Sequence, residues 1–146
     1  MNRPPDRVCI DASLALKWVL PEVYTDKAQE LLRDWITKGL TLIAPTLFIF
    51  EVTSALRNKV HRQMITQEEG FSALNQIRQG KIELVFSPNL VQRAWGISEG
   101  LGLPTAYDAF YLALAEEEGC EFWTADENLV NILKRHKIHW AKWVGD

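Results

Sequence analysis

The feature that most constrains the fold is an alternation maintained along the whole chain. Short apolar runs are separated by longer segments whose apolar residues recur every three or four positions. Arg7-Val-Cys-Ile-Asp11 reads as a short buried strand, and Ala12–Leu20 as a helix closed by Pro21. Thr25–Lys38 is a second helix, with Ala28, Leu31, Leu32, Trp35 and Ile36 on one stripe and Gly39 as its stop. Leu40–Ala44 is a strand, and Pro45-Thr46 opens a third helix running to about Val60. Thr66-Gln-Glu-Glu69 has the form of a capping box, starting a fourth helix that ends near Gly80. Ile82–Phe86 is a strand, and Ser87-Pro88 supplies an N-cap and a first-turn proline for a helix through about Gly100. Leu103-Pro104-Thr105 precedes a helix from Ala106 to Glu118, closed by Gly119. Glu121–Thr124 is a strand, Asp126–His136 a helix and Ile138–Trp143 a last strand.

Strands that are always separated by helices pair in parallel, with helices on both faces. The expected fold is therefore α/β: one three-layer α/β/α domain over residues 1–146 with a central, mainly parallel sheet. A chain of 146 residues fills one core and leaves little room for a second.

Several functional classes drop out on composition. No stretch reaches the roughly 18 apolar residues of a membrane span; Val8–Leu20 is interrupted by Asp11 and Lys17. Cys9 and Cys120 sit far apart inside apolar segments and show no zinc spacing, so they read as two buried free thiols of a cytoplasmic protein. The formal net charge of −3 argues against broad, charge-driven nucleic-acid binding. It leaves room for an enzyme that grips RNA through local basic patches and metal ions.

The acidic residues are the informative ones. In open parallel sheets, ligands bind beyond the carboxyl ends of the strands. Asp11 ends the first strand, and Asp126 lies two residues past Phe122-Trp-Thr124, so both open onto one sheet edge. Glu51 is the only charge in its helix before Arg57, on or beside a face that should be buried. Asp108 stands alone in the first turn of Ala106–Ala115, where the helix dipole favours an anion. Each has a structural explanation: Asp126 and Asp11 suit N-caps, and Asp108 suits a dipole partner. Glu51 is hardest to explain this way, because no Lys or Arg lies three or four residues to either side. Four such acids together point to a metal-assisted phosphodiester cleavage. Mg²⁺ or Mn²⁺ held by hard oxygen ligands activates water and relieves charge on phosphorus. No Ser-His-Asp or Cys-His nucleophile competes, and His61, His136 and His139 lie in polar, basic surroundings.

Val-Cys-Ile-Asp11-Ala-Ser13, Pro45-Thr-Leu-Phe-Ile-Phe-Glu51-Val, Thr105-Ala-Tyr-Asp108-Ala-Phe-Tyr-Leu-Ala and Trp123-Thr-Ala-Asp126-Glu-Asn-Leu together resemble PIN domains, in particular the VapC-type toxins of toxin–antitoxin pairs. The resemblance covers about Arg7 to Trp143 with four motifs in family order. It implies a Mg²⁺- or Mn²⁺-dependent endoribonuclease, the toxin of a type II toxin–antitoxin system. Asp11, Glu51, Asp108 and Asp126 match its catalytic, metal-binding quartet, and Ser13 and Thr124 match hydroxyl positions that orient carboxylates or water; local capping explains both hydroxyls equally well. It also implies an RNA substrate, a homodimer and a cognate antitoxin.

Two basic clusters offer phosphate contacts. Arg57, Lys59, His61 and Arg62 follow the Glu51 helix and are favoured over Lys134, Arg135, His136 and Lys137, although cationic helix ends also suit the dipole. Leu14, Leu16, Trp18, Val19 and Leu20, with Leu31, Trp35 and Ile36, are core candidates, and part of this set is expected to form a groove for an antitoxin helix. Two further readings remain open from the residues: a catalytically silent RNA- or protein-binding module on the same fold, and a phosphoacceptor signalling domain. The second usually carries an acidic pair on its first strand, where this chain has Asp11 alone.

Overall fold

Four of the five strands are cut short because the cap of the next helix, Asp11, Thr46, Ser87 or Asp126, lies one or two residues beyond the strand's end. A computed structural model describes residues 6–146, so the first five positions of the expected domain lie outside the described residues. Five strands form one parallel sheet: β1 (Arg7–Ile10), β2 (Thr41–Pro45), β3 (Ile82–Val85), β4 (Glu121–Thr124) and β5 (Ala141–Trp143). Their order across the sheet is β3-β2-β1-β4-β5. The helices between them are α1 (Ala12–Val19), α2 (Thr25–Thr37), α3 (Leu47–His61), α4 (Gln67–Gln79), α5 (Pro88–Leu101), α6 (Tyr107–Glu118) and α7 (Glu127–Arg135).

Two crossovers carry the chain from β1 to β2 and on to β3, and the next two carry it the opposite way, to β4 and then β5. Right-handed crossovers therefore place α1–α4 on one face and α5–α7 on the other. Packing agrees: α1 lies against α2, α3 and α4, whereas α5 packs on α6, which in turn covers β1, β2 and β4. The core between these layers contains Ile10, Leu14, Ile43, Phe48, Tyr111, Leu112, Phe122 and Leu133, all buried. Each such side chain contributes about 1.5–3 kcal/mol relative to exposure. Trp35 is buried and bridges Trp18 and Trp123 edge-on, with ring centroids 6.5 and 5.8 Å away. Cys9 and Cys120 are buried free thiols.

The capping box forms as expected: Thr66 Oγ1 accepts from the Glu69 amide at 3.0 Å, and Glu69 Oε1 accepts from the Thr66 amide at 2.9 Å. Gly39 and Gly119 take the left-handed conformations that end α2 and α6. Three boundaries differ. Pro45 does not open a helix; it ends β2 opposite Val85, where its missing N–H costs little, and α3 starts at Leu47. Ser87 precedes α5, but its hydroxyl caps nothing and is buried without a partner; the proline at the start of α5 sets that turn instead. The last strand is shorter than Ile138–Trp143, because Lys137 turns at φ +59° and only Ala141–Trp143 comes into register with β4. The order β3-β2-β1-β4-β5 also departs from the 2-1-3-4-5 order of phosphoacceptor domains, which removes that reading.

Candidate active site

The sheet reverses its winding between β1 and β4, and at that point the loops leaving the two strands part and open a crevice. Val8, Cys9 and Ile10 pair with Glu121, Phe122 and Trp123, so Asp11 and Thr124 come next on the two strands and lie side by side. The Thr124 hydroxyl donates to Asp11 Oδ2 at 2.6 Å. Ser13 Oγ donates to Asp11 Oδ1 at 2.8 Å, and the Leu14 amide donates to the same oxygen at 3.0 Å, capping α1. The two hydroxyls are themselves fixed from the β4–α7 loop: the Ala125 amide donates to Ser13 Oγ and the Asp126 amide to Thr124 Oγ1, each at 3.0 Å. Asp11 is only 6% exposed. Its carboxyl is raised to about 7, by burial first, against the downward pull of the Thr124, Leu14 and Ser13 hydrogen bonds and with a smaller upward push from Asp108.

Asp108, half-buried in the first turn of α6, is also raised, by burial first and then by the charges of Asp126 and Glu51. Glu51, half-buried on α3, accepts from the Tyr111 hydroxyl at 2.5 Å. Asp126 is exposed and caps α7, its Oδ1 accepting from the Leu129 amide at 3.1 Å. Capping and membership of the acidic group thus coexist at Asp11 and Asp126. Among the described residues no Lys, Arg or His forms an ion pair with any of the four acids. Nor do three Asp, Glu, His or Cys groups there close on one point as a finished cation cage. The acids form an open negative mouth.

Comparison with known proteins decides the family. Residues 8–134 match the PIN domain. This chain belongs to the PIN-domain family. It is 32% identical to a VapC ribonuclease of Mycobacterium bovis over 84% of this chain and 87% of that one, and to ribonuclease VapC9 of Mycobacterium tuberculosis to the same extent. Its backbone is similar to the crystal structure of PAE2754 from Pyrobaculum aerophilum, with a TM-score of 0.69, 22% identity and coverage of 95% of this chain and 84% of that one. It is also similar to M. tuberculosis VapC20, described as a sarcin-ricin loop cleaving toxin, with a TM-score of 0.61, 14% identity and coverage of 85% and 93%.

Other residues of this PIN domain fall less simply. Arg57 and Arg62 are exposed at the end of α3, but Lys59 is held 3.1 Å from Glu22, which also lies 3.7 Å from Lys17. Lys59 is thus an internal ion-pair partner, 20% exposed, rather than a free phosphate contact. Lys134 lies 3.7 Å from Asp146, and the three histidines are exposed. Leu14, Leu16, Leu20 and Trp35 are core, whereas Trp18, Val19 and Ile36 line an apolar groove of about 650 Å³ with Leu32, Leu40 and Ile82. Tyr111 escaped the sequence reading. Its signal was present: a lone Glu51 without a basic neighbour needs a donor, and Tyr111 is a buried hydroxyl in a helix otherwise apolar around it.

Proposed function

We propose that this PIN domain is a divalent-metal-dependent endoribonuclease, the toxin of a type II toxin–antitoxin pair, using Asp11, Glu51, Asp108 and Asp126 with Mg²⁺ or Mn²⁺. The observation that carries the reading is Asp11: buried at the switch point of the sheet, its two oxygens fixed by Ser13, Thr124 and Leu14, and faced by a second carboxylate rather than a cation. Clustered acids that raise one another's proton affinity gain from a bound cation. The donor set is all hard oxygen, and its looseness suits Mg²⁺, which keeps several waters and takes only one or two carboxylates. A divalent ion bound there would supply a water activated at neutral pH and relief of the charge that builds on the phosphate.

The chain's own residues divide the work. Ser13 and Thr124 tie Asp11 to the backbone of the β4–α7 loop that carries Asp126. Asp108, at the mouth of α6, is the firmest ligand beside Asp11. Exposed Arg57 and Arg62 suit phosphate contacts along an RNA strand. RNA as substrate is supported by the ribonuclease relatives.

Partner surfaces follow from what is left uncovered. The groove lined by Trp18, Val19 and Ile36 suits an antitoxin helix. Exposed Phe50, Phe86 and Trp95 suit a homodimer contact. No helix among the described residues is long and apolar enough to cross a membrane, and a cytoplasmic location fits the two free thiols. RNA cleavage should require Mg²⁺ or Mn²⁺ and vanish in Asp108→Asn with the circular dichroism spectrum unchanged. Undiminished cleavage by that folded variant sinks the site assignment, and RNA binding without any cleavage by the parent favours a silent module.

A further inference from the structure

Of the four acids, Glu51 and Asp108 accept no hydrogen bond from a backbone amide among the described residues, and Glu51 has the longer side chain to place. Asp11 and Asp126 are pinned by the helix caps they form. Glu51 lies in the second turn of α3 and has a longer side chain with more rotamer freedom. It is half-buried, repels Asp108, and forms no ion pair among the described residues that would stop it turning out to solvent. The hydrogen bond to its carboxylate among those residues comes from Tyr111.

Tyr111 is well built for that task. It is 1% exposed, and its ring packs on Phe122 of β4 with centroids 6.1 Å apart. Its carbonyl oxygen accepts from Cys9 Sγ of β1 at 3.6 Å. The ring is thus held against β4 and the backbone that carries it against β1, the two strands that frame the crevice. Three residues after Asp108 on α6, it occupies the neighbouring position along the same helix face. Its hydroxyl is near enough to feel Asp11 as well as Glu51. A phenol O–H donating to a carboxylate is a charge-assisted bond, stronger than a neutral pair.

We propose that Tyr111 is a positioning residue of the acidic site, its buried hydroxyl holding Glu51 inside the carboxylate cluster. This rests on the metal-dependent nuclease reading above and adds to it a residue outside the acidic quartet. Losing a partner that orients a ligand typically costs about 10–100-fold in metal affinity. Tyr111→Phe keeps the ring and its packing and deletes only the donor.

The test is a cycle of the parent, Tyr111→Phe, Glu51→Gln and the double variant. Mn²⁺ binding is read by electron paramagnetic resonance of the free ion, RNA cleavage is followed across Mg²⁺ concentration, and thermal midpoints are recorded. Tyr111→Phe should weaken Mn²⁺ binding about tenfold, with cleavage recovering at high Mg²⁺ and the midpoint nearly unchanged. In the Glu51→Gln background the same substitution should do nothing further to ion affinity. A parent that binds Mn²⁺ and cuts RNA while Tyr111→Phe does both equally well overturns the role of Tyr111 alone. So does a tenfold loss that persists undiminished in the Glu51→Gln background. A parent that binds no Mn²⁺ and cuts no RNA overturns the nuclease reading together with it.

Discussion

Replacing Asp11 by Asn removes a buried charge while keeping the side chain's shape, and its effect on stability follows from the site. In the metal-free protein, burial raises the Asp11 carboxyl from an ordinary 3.8 to about 7. The folded state then binds this proton more tightly than the unfolded chain does. A group raised in this way contributes stability that is complete below about pH 4 and lost as pH rises toward and past 7. The span is a roughly thousandfold change in proton affinity, or about 4 kcal/mol at about 1.4 kcal/mol per tenfold. Asn resembles the protonated acid. One acceptor oxygen still serves Ser13 and Leu14, and its amide N–H donates to Thr124 Oγ1, freeing that hydroxyl to turn toward Ser13, 3.2 Å away. With relaxation of the site discounted, Asp11→Asn should stabilise the metal-free protein by about 2–4 kcal/mol at pH 8 and by almost nothing at pH 4. For a chain of this size the gain at pH 8 is about 5–10 °C in thermal midpoint. Thermal melts in EDTA, followed by circular dichroism from pH 4 to 8, measure it. A variant that melts at or below the parent at pH 8, or a gap that does not widen with pH, would refute the reasoning. Adding Mn²⁺ at pH 8 should narrow the gap by raising the parent alone.

Substitutions at two further positions probe the frame of the site and of the fold. Thr124→Val leaves Asp11 Oδ2 without its Thr124 donor and the Asp126 amide without its acceptor, so it should cost about 2 kcal/mol in urea unfolding with an unchanged slope. Thr124→Ser keeps the hydroxyl and should retain most of the parent's stability, whereas a loss in Thr124→Ser with none in Thr124→Val would show that the methyl group, not the hydroxyl, matters. Thr66→Ala removes the cap of α4 and should cost about 1 kcal/mol, read as a lower urea midpoint; no change would mean that packing alone holds that helix end.

The alternating pattern was enough to foresee a parallel sheet, because buried parallel strands carry continuous apolar runs and their crossovers must be helical. Register at the sheet's far edge was not legible. Ile138–Trp143 has the composition of a strand throughout, but the left-handed turn at Lys137 delays its pairing until Ala141. Ser87-Pro88 looked like a complete start signal, yet only the proline acts, since the serine hydroxyl meets no amide. Asp11 and Asp126 were legible from their places at strand ends. Lys59 and Tyr111 were not, because their partners, Glu22 and Glu51, lie 37 and 60 positions away and are brought near only by the packing of the helices.

The bond between Thr124 and Asp11 joins residues 113 positions apart. A chain ordered only through α6 holds Asp11, Glu51 and Asp108 but lacks Thr124, Asp126 and the loop amides that steady Ser13. Contacts of such long range form late, after most loop-closure entropy has been met. Opening of the β4–α7 unit alone would likewise take the second wall from the crevice while the rest of the sheet stands. The centre thus reports completion: it exists only in a molecule whose first and fourth strands have met.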